Sequence, residues 1–151
     1  MIDVENPAMT TTELTQYFEE EGYNPANYSI NTRGSDVFCL MNDGQQWSVF
    51  YTERGRDESP VFTSSNESEA CQFYVSLVQK MRQDHCVGFF KSKQAADDLQ
   101  EFLKQQCIEI IVNKIPYGGP NDPRYRVFVV GKDIFAARRL LGELPLEDAG
   151  K

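Results

Sequence analysis

The spacing of apolar positions divides this chain into helical and extended stretches. Leu14, Tyr17 and Phe18 recur at i, i+3 and i+4 behind Thr10-Thr11-Thr12, which predicts a first helix over 10–21. Gly22 ends it, and Asn24-Pro25 prevents its resumption. Three strand-like runs follow: Asp36–Met41, Trp47–Tyr51 and Pro60–Thr63. In the second, Trp47, Val49 and Tyr51 fall on one face, Ser48 and Phe50 on the other. Asn42-Asp43-Gly44 and the segment Glu53–Ser59 supply the turns of an antiparallel meander. Ser65 or Asn66 then caps a helix with Glu67 and Glu69 in its first turn. Its apolar stripe of Ala70, Phe73, Tyr74, Leu77, Val78 and Met81 is expected to pack on the Trp47 face of the sheet.

The second half has another rhythm. Val87–Phe90 predicts a short strand or an extended lead-in, Ser92 caps a helix bearing Ala95, Ala96, Leu99, Phe102 and Leu103, and Ile108–Val112 predicts a β-branched strand. A Gly/Pro loop over 116–123 leads into the strand Tyr125–Val130, and Gly131-Lys132-Asp133 opens a helix through Ala136, Ala137, Leu140 and Leu141 that Gly142 and Pro145 stop. The order α-βββ-α followed by β-α-β-β-α predicts an α+β protein with an antiparallel meander sheet and flanking helices. Residues 1–151 are expected to form a single compact domain, built from sub-halves 1–84 and 85–145, with 146–151 as a flexible tail.

Composition adds a location and a charge pattern. No apolar run approaches a membrane span, and the acidic start Met1-Ile2-Asp3-Val4-Glu5 lacks the features of a signal peptide, so a cytoplasmic protein is expected. The net charge of −8 is uneven: residues 1–84 carry 14 acidic and 5 basic side chains, residues 85–151 carry 9 and 10. An acidic surface repels nucleic acid and anionic lipid and steers association with a basic partner. Three glutamates, Glu19, Glu20 and Glu21, oppose the dipole at the end of the first helix, an arrangement best tolerated where the acids have another use.

Candidate chemistry is sparse. The four cysteines, Cys39, Cys71, Cys86 and Cys107, lack metal-site spacing and sit among apolar neighbours, which predicts buried free thiols. The sole histidine, His85, cannot build a multi-histidine metal site and is expected at the surface or between the halves. Gly118-Gly119 lacks the Lys and Ser/Thr of a phosphate-binding loop, and Asp97-Asp98 fan apart around a helix. No catalytic residue, metal ligand or cofactor is therefore predicted. The stretch Glu53-Arg54-Gly55 reads as a turn with a local ion pair, and the exposed charges around it suit binding.

The segments WSVFYTERG, SEACQFYVSLV and RYRVFVVGKDI resemble small cytoplasmic immunity proteins encoded beside bacterial polymorphic toxins, including contact-dependent growth inhibition systems. The shared pattern is a Trp strand entering a Tyr-x-Glu-Arg-Gly turn, an acidic-capped helix, and a Gly/Pro loop leading to an Arg-Tyr-Arg-Val-Phe-Val strand, over roughly residues 35–141. The resemblance implies an inhibitor that binds one toxin domain, often a nuclease with a basic groove, and has no activity of its own. It transfers no toxin-contacting residue. Charge density instead nominates Glu53, Arg54, Asp57 and Glu58 with Glu19, Glu20 and Glu21, in a protein expected to be monomeric when free. The alternative surface is Tyr117, Asp122, Arg124, Tyr125 and Arg126, whose Tyr and Arg side chains are common interface anchors. Two other readings stand beside this one. The β-α-β-β-α half resembles part of a ferredoxin-like or sporulation-related repeat, implying a peptide- or peptidoglycan-binding adaptor that would need export or an anchor. An enzyme using Cys86 or Cys107 is the third.

Overall fold

The computed structural model describes residues 9–148 and has the expected α+β class, with four α-helices and two sheets among them. The chain divides into two compact units, Met1–Arg82 and Gln83–Lys151. The acidic stretch over residues 1–5 lies outside the described residues.

In the first unit, α1 (Thr11–Glu20) starts at a capping box: the Thr10 hydroxyl accepts from Glu13 N at 3.2 Å, and the Glu13 carboxylate accepts from Thr10 N at 3.0 Å. Helix α2 (Glu67–Val78) is capped by Asn66, which accepts from Glu69 N at 2.9 Å. The Glu67 carboxylate also accepts from Thr11 N and Oγ1, at 2.9 and 3.1 Å, and so ties the two helix starts together. The sheet holds β1 (Ser29–Ile30), β2 (Val37–Asn42), β3 (Trp47–Glu53), β4 (Arg56–Asp57) and β5 (Phe62–Ser64). β3 is its hub, antiparallel to β2, β4 and β5, while β1 lies parallel to β2. β1 and β4, of two residues each, are too short to leave a periodic signature and were not expected.

Both helices pack on one face of this sheet. Leu14, Phe18, Leu40, Val49, Ala70, Tyr74 and Val78 form the buried core, with Trp47, Phe73 and Leu77 at its margin. Helix α2 ends at Val78, so Met81 lies beyond it rather than on its packed stripe. Tyr51 stands opposite Phe38 in register and meets it edge-on at 5.0 Å. The other face carries a smaller cluster of Val37, Cys39 and Phe50, with Met41 beside it.

The second unit is built from β6 (Asp84–Phe90), α3 (Lys93–Gln105), β7 (Ile110–Ile115), β8 (Arg124–Val130), α4 (Asp133–Leu141) and β9 (Leu146–Glu147). Its strand order is β7-β8-β6-β9, with β8 antiparallel to both neighbours and β9 parallel to β6. Val87, Phe90, Leu99, Leu103, Val127, Val129 and Ile134 form its core.

Five expectations are corrected here. His85 is buried at 8% exposure rather than at a surface, because it stands opposite the fully buried Val129. Cys107 is exposed: it takes the left-handed conformation (φ 62°) that ends α3, while Ile108 N donates back to Leu103 O at 3.0 Å. That turn sends Ile108 into the core, so β7 begins two residues later than the β-branched run suggested. Cys86 is only partly buried. Finally, Leu146 and Glu147 are not a tail but an edge strand, and Asp148 accepts from Lys91 N and from Ser92 N at 3.2 Å. Residues 149–151 lie outside the described residues.

Candidate binding cleft on the first sheet

The open face of the first sheet becomes a cleft through the loop between β1 and β2. That loop folds back over the sheet: Thr52 Oγ1 donates to Gly34 O at 3.2 Å and Gly34 N donates to Cys39 Sγ at 3.5 Å. A side chain at Gly34 would place a Cβ 2.5 Å from Val37 Cγ1, so the close approach requires glycine. With the loop seated, Arg33 reaches Asp57 in a forked pair, Nε to Oδ1 at 3.0 Å and Nη2 to Oδ2 at 2.6 Å. The same guanidinium lies 5.9 Å from the centre of the Phe50 ring.

The cleft encloses about 400 Å³. Its floor is Met41, Ser48, Phe50 and Pro60, and its rim is Arg33, Asn42, Asp43, Asp57 and Glu58. Three carboxylates thus face one guanidinium that is already engaged by Asp57. The Asp43 carboxylate accepts from Gln46 N and Gln45 N, both at 3.0 Å, and these bonds hold it below the ordinary carboxyl range. Asp43 therefore stays anionic through the neutral range. An apolar floor inside a charged rim is the anatomy of a protein-binding patch.

The predicted acidic residues do not form one site. Asp57 and Glu58 line the cleft; Glu53 and Arg54 stand at the exposed tip of the β3–β4 hairpin. There Arg54 (φ 52°) and Gly55 (φ 81°) make the two-residue turn between the register partners Glu53 and Arg56. The expected ion pair inside this turn is replaced by longer links, Arg33 to Asp57 and Arg54 N to Asp36 Oδ1 at 3.0 Å. Glu19 and Glu20 line a separate polar groove with Thr11, Thr12, Thr15, Gln16 and Asn31, and Glu21 follows as the cap of α1. Sequence reasoning missed Arg33, Met41, Asp43 and Phe50 as cleft residues. The apolar residues on both faces of β3 were a signal for Phe50 alone; Arg33 and Asp57 pair across 24 positions, beyond any local pattern.

In the second unit the alternative surface is assembled by β8 and the loop before it. Tyr117 is 64% exposed, with the Arg124 guanidinium 4.8 Å from its ring centre and Phe89 edge-on to it at 5.2 Å. Arg124 Nη1 donates to Asp122 Oδ1 at 2.9 Å. Arg126 stacks 5.1 Å from the centre of Phe128, whereas Tyr125 faces the core. As for nucleophiles, Cys86 and His85 point to opposite faces of β6, and burial pushes the Cys86 thiol up, away from the reactive thiolate. Among the described residues, no cluster of three or more His, Cys, Asp or Glu could hold a metal, and no helix is long and apolar enough to cross a membrane. Comparison with protein-family models, curated proteins and solved structures finds no match for the chain.

Proposed function

We propose that this protein is a cytoplasmic, non-catalytic immunity protein that neutralises a cognate bacterial toxin domain by covering a basic groove on it. The observation that carries the reading is the cleft on the first sheet, where Met41 and Phe50 form an apolar floor between Asp43, Asp57 and Glu58. A nuclease must hold phosphates with Lys and Arg, and such a groove is complementary to an anionic rim. The floor would supply burial for a central contact while the rim sets orientation and encounter rate. The Arg33–Asp57 fork fixes one rim carboxylate in advance, which lowers the ordering cost of binding.

Co-expression with the toxin encoded beside it tests the reading. The wild type is expected to protect, and Ser48→Lys combined with Glu58→Lys, which places ammonium groups in the cleft and leaves the buried Phe50 in place, is expected to abolish protection while the protein stays folded by circular dichroism. Full protection by that variant would move the interface off the cleft.

A further inference from the structure

The second sheet ends in an open edge. β7 pairs with β8 on one side and, among the described residues, with no strand on the other. Its middle is exposed, with Val112 at 47% exposure, and its residues are mostly β-branched. A long edge of unpaired N–H and C=O groups is a template for another strand.

The side chains along this edge specify what that strand should carry. Ile111, Asn113 and Ile115 are in register with Phe128, Arg126 and Arg124, so the six share the face away from the core residue Val127. Arg126 Nε donates to Asn113 Oδ1 at 2.9 Å, which draws the guanidinium from β8 across onto β7, with Phe128 stacked against it. No carboxylate among the described residues reaches Arg126 within ion-pair distance, whereas Arg124 already has Asp122. Lys114 stands on the opposite face, over the Tyr125 ring, and adds nothing here. A strand laid beside β7 lies about 4.8 Å away, so its residue opposite Asn113 comes next to a preset cation. Residues two positions before and after would lie opposite Ile111 and Ile115.

We propose that the β7 edge accepts an extended segment of a partner protein as an added strand, with an acidic residue opposite Asn113 and apolar residues two positions to either side. This surface is separate from the cleft of the first unit, and the inference holds whether or not the cleft meets a toxin.

The test uses the full chain and a fluorescein-labelled, end-capped heptapeptide, TVTETVT. Saturable anisotropy is expected, with the TVTKTVT peptide at least tenfold weaker and amide exchange slowed within Ile110–Ile115. Arg126→Gln should erase the preference for glutamate over lysine. Asn113→Asp, which supplies Arg126 with a carboxylate at a solvent-exposed position, should do the same without touching the arginine, so a folding failure of one variant leaves the other. Equal binding of both peptides, unchanged exchange in β7, no binding at all, or stronger binding of a thymidine oligonucleotide or of isolated peptidoglycan than of TVTETVT would each overturn the proposal.

Discussion

Replacing Tyr74 by Phe removes one oxygen from the centre of the first unit and should be disproportionately costly. Tyr74 is fully buried on α2, and its hydroxyl donates to Phe38 O at 2.6 Å while accepting from Ser29 N at 2.9 Å. It thereby joins the helix to β1 and β2, where β1 has only two residues of ladder to hold it. Without the hydroxyl, one part-buried carbonyl and one buried N–H lose this partner together. Each loss costs about 1–3 kcal/mol, and relaxation of the short strand offsets part of it, so about 2–4 kcal/mol is expected. Urea unfolding followed by the fluorescence of Trp47, the sole tryptophan and a residue of this unit, reads the change directly. The midpoint should fall with an unchanged slope. A loss below about 0.5 kcal/mol would refute the reasoning, since both main-chain groups would then have other partners.

Trp47→Ala should cost about 3 kcal/mol, the low end for such truncations, because Trp47 borders the core instead of filling it; circular dichroism reads it, and a loss under about 1 kcal/mol would place the side chain outside the packing. A thiol reagent should find Cys107 at once and Cys39 and Cys71 only on unfolding, with Cys107→Ser removing the fast phase; a fast Cys71 would contradict its burial. Stability should also fall at high pH. Burial raises the Cys71 thiol from 9.0 and the Tyr23 phenol from 10.0, each to about 12, so the folded state keeps protons that the unfolded chain has lost. Stability is then complete below pH 9 and declines as the pH rises towards 12; because burial also raises the Cys86 thiol, Cys71→Ala should reduce the loss between pH 9 and pH 10 rather than abolish it, and an unchanged loss would contradict the assignment.

The main elements were legible because each left a local signal. Thr10 with Glu13, Asn66 with Glu69 and Ser92 with Ala95 are caps contained within four residues, so the sequence alone narrowed them to Thr10–Thr12, to Ser65 or Asn66, and to Ser92. The cleft was only half legible. Asp57 and Glu58 were nominated by charge density, but their setting depends on a loop at Gly34 and a pairing with Arg33 that no local pattern encodes. The surface alternative for His85 failed for a similar reason: the register with Val129 fixes which face of β6 it occupies, and register is a long-range property. Cys107 was misplaced because its apolar neighbour Ile108, and not the cysteine, is the residue the helix-ending turn delivers to the core. The edge strand β9, only two residues long, left no periodic pattern to read.

The central proposal is that the anionic rim of the first sheet steers a basic toxin domain into place. Its most direct test is the association rate constant with the toxin domain proposed as its partner, measured across ionic strength for the wild type and for Asp57→Lys/Glu58→Lys. The rim loses two carboxylates in that variant and gains two ammonium groups, while the apolar floor is untouched. Association should slow by about tenfold or more at low salt, with a flatter dependence on ionic strength. An unchanged association rate and an unchanged salt dependence would contradict the claim.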